Sequence, residues 1–254
     1  MNNIKRTLLT LITASAAFSA TSLNATSVGY INASGGDISG LSAFGHTVTS
    51  LSNPIDLTLA QLSAFDAVIV TSNSTFSQAA HIGNILADFA DLGGGVVLTE
   101  FVFQGGWALG GRIMTEGYSP FTVDPLSGGY LGFNSSIGTV FESGSPLLTD
   151  VTSLNNNYEA NSNVSTGATL VADWTSGRHA IAYNSLTSSS VVGINGFPGS
   201  MGTHGNQLLS NAIEFSLSAH SAQRSSAGVP DSGSTLALTA LGLLALIGFR
   251  ARRS

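Results

Sequence analysis

An α/β domain, with a mostly parallel sheet, helices on both of its faces and an antiparallel hairpin extension, is the fold this chain predicts. Three observations carry that reading. Short apolar runs of strand character alternate with helix-compatible stretches, as in sheets built from strand–helix–strand units. Residues 77–92 place Ile82, Ile85, Leu86 and Phe89 on one helical stripe, with Asn84, Asp88 and Asp91 off it. Gly93-Gly94-Gly95 then ends the helix by permitting a left-handed turn, and Val96-Val97-Leu98 returns as a central strand.

In chain order, residues 28–31 form the first predicted strand, Gly35-Gly36-Asp37 opens a short helix to Phe44, and residues 46–49 begin a second strand. Residues 57–65 suit a helix or an extended connection. Asp66 leads into Ala67-Val68-Ile69-Val70, apolar at each position as a strand covered on both faces must be. Thr75 and Gln78 are spaced to form a capping box for the periodic helix. The strand after the glycines is expected over residues 96–103. Residues 104–130 are glycine-rich without apolar period, and read as loops and short helices around the carboxyl ends of the strands. Residues 168–174 and 178–184 flank Thr175-Ser176-Gly177 as a hairpin, and residues 190–195 add a strand. Leu209, Ala212 and Ile213 set a closing helix over residues 207–217.

The two ends of the chain differ from this domain. Lys5 and Arg6 precede an apolar stretch over residues 8–18 and then small residues, the pattern of a signal peptide over residues 1–25, with cleavage after Ala25 or Ala20. At the other end, Val229-Pro230-Asp231-Ser232-Gly233 is followed by an apolar run over residues 236–249 and by Arg250, Arg252 and Arg253. A bilayer core needs about 20 helical residues, so this run only just spans. The arginines hold its end in the cytoplasm and leave the preceding chain outside. An ordinary single-span anchor would share these features. The motif, hydrophobic helix and arginine-rich end together resemble the VPDSG-CTERM variant of PEP-CTERM sorting signals. That resemblance implies an exosortase-type membrane protease of a Gram-negative bacterium as partner, transient contact with the inner membrane, and a destination in the cell envelope or an extracellular polysaccharide matrix. The expected organisation is a signal peptide (1–25), an α/β passenger (26–218), a polar linker (219–228) and a sorting segment (229–254).

Composition narrows the chemistry. Residues 26–217 hold 13 acids against two bases, Arg112 and Arg178, a net charge of −11 that disfavours nucleic acid as a partner. With no cysteine, the chain has neither disulfides nor a thiol nucleophile, and Lys5 is its only lysine, which removes Schiff-base chemistry from the passenger. His46, His81, His179, His204 and His220 are dispersed, and neither an HExxH nor a DxDxDG pattern occurs, so no metal and no cofactor is expected.

The order of Gly93-Gly94-Gly95-Val96-Val97, Trp107, Gly111-Arg112, Ser145-Pro146-Leu147-Leu148, the hairpin and a final Asn211-Ala212-Ile213-Glu214-Phe215 helix resembles class I glutamine amidotransferase-like domains. The similarity is to their flavodoxin-like, trehalose-utilisation-type branch. Amidotransferases use a cysteine at the turn after a strand, where this chain reads Thr99-Glu100-Phe101, so glutamine hydrolysis is not implied.

Ligands of open α/β sheets sit outside the carboxyl ends of the strands, which makes Asn32, Ser72, Asn73, Glu100, Gln104 and Arg112 the expected cleft residues. Glu100 is the fallback candidate for a catalytic base, with a structural carboxylate as the alternative, and Arg112 could equally clamp the acidic domain internally. Trp107, Tyr118, Phe121 and Tyr130 could stack on a ligand or cover the core. Three functions compete: a noncatalytic binding protein of the envelope or matrix, an extracellular hydrolase using Glu100 and neighbouring polar groups, and a purely structural surface component.

Overall fold

A strand that is apolar at each position needs cover on both sides, and that requirement organises the domain. In the computed structural model, which describes residues 25–125 and 131–226, β1 (Ser27–Asn32), β2 (Thr47–Ser50), β3 (Ala67–Thr71) and β4 (Gly95–Thr99) pair in parallel. Ala67, Ile69 and Val97 point into one apolar cluster, while Val68, Val70, Val96 and Leu98 point into another. The first is closed by α4 (Gly205–Ser226) through Leu208, Leu209, Ala212 and Ile213. The second is closed by α2 (Ala79–Asp91) through Ile82, Leu86 and Phe89, the stripe read from the sequence, together with the shorter α1 (Leu59–Leu62) through Leu62. Helices therefore cover both faces.

The sheet has nine strands in the order β2-β1-β3-β4-β9-β8-β7-β5-β6. β9 (Ser190–Ile194) continues the parallel half in the strand order of flavodoxin-like sheets. β8 (His179–Ser185), β7 (Thr169–Trp174), β5 (Leu131–Val140) and β6 (Asn155–Glu159) then follow antiparallel. The expectation of a mostly parallel sheet is corrected: the sheet is mixed, because two strands of the extension escape the sequence pattern. β5 is broken by register shifts against both neighbours, and β6 reads Asn-Asn-Asn-Tyr-Glu, with no apolar alternation to mark it. The β7–β8 hairpin stands where expected, its turn closed by the Gly177 N–H on the Trp174 carbonyl at 2.9 Å.

Three further expectations change. The capping box forms at Thr58 and Gln61 on α1, whereas Gln78 caps α2 without a side-chain bond. β4 stops at Thr99, because the Val102 N–H turns back onto the Thr99 carbonyl at 3.1 Å. α4 runs on through Ser226, so most of the segment expected as linker is helical. Gly83 lets α2 approach the loop before α3 (Arg112–Thr115), since a Cβ there would lie 1.8 Å from the Gly110 carbonyl oxygen.

The course of α4 is antiparallel to the parallel strands. It begins where Gly205 meets Met201, beyond the carboxyl end of β9. Nine residues later, Glu214 accepts a hydrogen bond from Thr26, just before β1, and Ser216 packs against Gly95 at the start of β4. The expected signal peptide and sorting segment, apart from Ala25, lie outside the described residues, as does Tyr130.

Candidate functional site

Loops leaving the carboxyl ends of β3, β4 and β9 build one pocket with β6. After β3, the Ser72 hydroxyl donates to the carbonyls of Ser74 at 2.6 Å and Trp107 at 3.2 Å, and the Ser72 carbonyl accepts from the Phe101 N–H at 2.9 Å. These bonds fix the loop that carries Trp107. After β9, the Phe197 N–H donates to Asn156 Oδ1 at 3.3 Å, which ties that loop to β6. The resulting cavity of about 240 Å³ is lined by Asn73, Phe101, Trp107, Tyr158 and Phe197. Phe101 touches the other three rings, with centroids 5.3 Å from Trp107, 5.4 Å from Tyr158 and 5.6 Å from Phe197. Ring planes meet at 83° for Phe101 and Trp107 and at 80° for Tyr158 and Phe197, so the walls box the space rather than stack across it.

Behind the rings lies a buried polar layer. Glu100 is the chain neighbour of Phe101 and Glu159 that of Tyr158, and both glutamates are fully buried, with Gln104 and Asp124 nearly so. Ser176 donates to Glu159 Oε2 at 2.5 Å, Arg178 donates to the Glu159 carbonyl, and the Asn161 N–H donates to Asp124 at 2.8 Å. Both carboxylate oxygens of Glu100, Oε1 of Gln104 and of Glu159, and the Ser162 hydroxyl have no hydrogen-bond partner among the described residues. Burial pushes the Glu100 carboxyl well above the usual range; the Ala160 N–H opposes this, Glu159 adds to it, Arg178 opposes it and Asp124 adds to it. The opposition from Ala160 is weak, since its N–H is already bonded to Asn195 Oδ1 at 2.9 Å.

The structure separates the expected cleft residues. Asn73 lines the pocket, Ser72 holds its Trp107 wall, and Glu100 and Gln104 sit in the layer beneath. Asn32 ends β1, where its carbonyl accepts from the Asn53 N–H at 2.5 Å, and it does not line the cavity. Arg112 takes the internal clamp, the alternative the sequence left open for it. Its guanidinium pairs with Asp88, with Asp91 at 3.2 Å and with Glu116 at 3.0 Å, and bonds the Tyr118 hydroxyl at 2.8 Å. That clamp lies at the last turn of α2, toward the amino end of β4 and away from the pocket. A second cavity of about 370 Å³ opens beside it, lined by Asp91, Glu116, Tyr118 and the β8–β9 loop. Of the aromatic candidates, Trp107 forms a wall, whereas Tyr118 and Phe121 are buried.

Sequence reasoning missed Tyr158, Phe197 and Asn195. Asn195 is fully buried and joins β6 to β8: its amide donates to the carbonyls of Ala160 at 2.9 Å and His179 at 2.8 Å. A polar residue ending an apolar strand was the only available signal. The histidines bond separate partners, His46 to Ser210, His81 to Leu57, His179 to Asp173 and His204 to Ser153. Among the described residues no group of three or more His, Asp or Glu could hold a metal ion.

Residues 228–253 match the VPDSG-CTERM motif. The chain thus carries a sorting signal of the kind processed by exosortase-type membrane proteases. The match covers the tail alone, and its apolar segment lies outside the described residues, among which no helix is long and apolar enough to cross a membrane. No curated protein matches the chain. Among solved structures, a cytoplasmic protein of Salmonella typhimurium LT2 is similar at 10% identity and a TM-score of 0.59, covering 75% of this chain and 99% of its own. A putative GMP synthase protein of Thermoplasma acidophilum is similar at 13% identity and 0.52, covering 78% and 98%. A putative ThuA-like protein of Parabacteroides merdae is similar at 10% identity and 0.50, covering 76% and 90%. At such identities the likeness is one of fold.

Proposed function

We propose that this protein is exported, is sorted by an exosortase-type protease to the envelope or extracellular matrix of a Gram-negative bacterium, and serves there as a binding module for a small ligand. The VPDSG-CTERM motif supports the sorting, and the basic, apolar start of the chain agrees with it. The observation that carries the binding role is the pocket lining: among the described residues it is four rings and one amide, with neither a carboxylate nor a histidine among them. Glu100, the carboxylate offered for hydrolysis, is fully buried and is not among the described lining residues, and the chain has no cysteine for amidotransferase chemistry. A purely structural role would leave such a cavity without use.

Intact-mass measurement of the cell-associated protein tests the sorting. The expected product lacks the apolar run over residues 236–249 and the terminal arginines. A native product that keeps residues 236–254 replaces exosortase processing with a simple anchor.

A further inference from the structure

We propose that the aromatic pocket binds a small quaternary ammonium cation, a compound built on a trimethylammonium group; this deepens the binding-module reading and rests on it. The lining decides the ligand class by what it lacks. A sugar brings several hydroxyls that each need a partner once buried, and among the described residues the wall side chains offer three polar groups, the Asn73 amide, the Trp107 indole N–H and the Tyr158 hydroxyl. An anion finds no cationic side chain among the described lining residues. A primary ammonium would need acceptors for its N–H groups, and the buried unpaired acceptors of Glu100, Gln104 and Glu159 belong to residues outside the described pocket lining. A trimethylammonium group needs no hydrogen bond at all.

What such a cation does need is present. Aromatic faces attract it through their quadrupoles, and Phe101, Trp107, Tyr158 and Phe197 line the cavity with ring planes at 40° to 83° to one another. The domain contributes a negative field, with a net charge of −11 over residues 26–217. Size agrees as well: about 240 Å³ falls below the roughly 300 Å³ at which drug-sized sites begin, so the space admits one compact headgroup.

The test titrates the natively purified protein with choline, with tetramethylammonium, with 3,3-dimethyl-1-butanol as the uncharged isostere of choline, and with glucose, by calorimetry and tryptophan fluorescence. Choline and tetramethylammonium bind, and the uncharged isostere binds at least about tenfold more weakly. Trp107→Phe keeps binding, whereas Trp107→Leu weakens it at least about tenfold. The near-ultraviolet signal of buried Trp174 certifies that both variants are folded. Equal affinity for the isostere, binding of glucose alone, or indifference to Trp107→Leu overturns the cation assignment and leaves a binding module standing. Failure of all four probes overturns the assignment and the binding module together.

Discussion

Glu100 holds two buried oxygens that no hydrogen bond satisfies, and a charge there is expensive. Because its folded value lies above the unfolded one, about 4.3, the stability linked to it is complete below that unfolded value. It is lost as pH rises toward the folded value. Glu100→Gln keeps the shape, cannot ionise and brings an amide donor into a layer rich in unpaired acceptors. The variant is expected to melt above the wild type by a few degrees, ~2–4 °C for each kcal/mol in a domain of this size, at pH 8, with a smaller gap at pH 5. A gap that narrows as pH rises would defeat this account. Arg112 shows the opposite use of charge. The sequence offered it equally to the cleft and to an internal clamp; its backbone enters α3, which turns the guanidinium to the carboxylates of α2. The sequence spacing could not show that turn.

At the scale of elements, Asn195 is the joint between β9 and the arm that carries Tyr158. Asn195→Ala would strand the Ala160 N–H and the carbonyls of Ala160 and His179, all held by one side chain. The expected cost is about 2–4 kcal/mol in urea unfolding. Ligand affinity should fall as well, since Ala160 follows the strand that forms the pocket wall. Retained stability would show that water replaces the amide. The same arm marks the limit of what sequence reveals. Elements with a strict period were legible: α2 through Ile82, Leu86 and Phe89, β3 through its unbroken apolar run, and the β7–β8 hairpin through its turn. β5 and β6 were not, because tertiary bonds rather than apolar faces hold them. One of the five described lining residues, Tyr158, comes from those irregular parts. The sequence therefore pointed to the end of the sheet where this pocket opens and to Asn73, while Tyr158 and Phe197 emerged only once the chain was folded.

Across the whole molecule, the excess of acids draws small cations from a distance. The association rate for choline is expected to fall severalfold between about 0.01 M and 0.15 M salt, as the screening length shrinks from about 30 Å to about 8 Å, while dissociation changes little. A salt-independent association rate, read by stopped-flow fluorescence, would confine recognition to the rings. The direction of α4 adds a matter of orientation. The helix leaves the pocket end, crosses the sheet and carries the chain out past the amino ends of β1 and β4, reaching Ser226 three positions before Val229. At 1.5 Å per residue, the nine residues beyond Leu217 extend about 14 Å as a stiff stalk. A tether at the tail would hold the domain by one pole and turn its mouth away from the surface that holds it, open to whatever diffuses past.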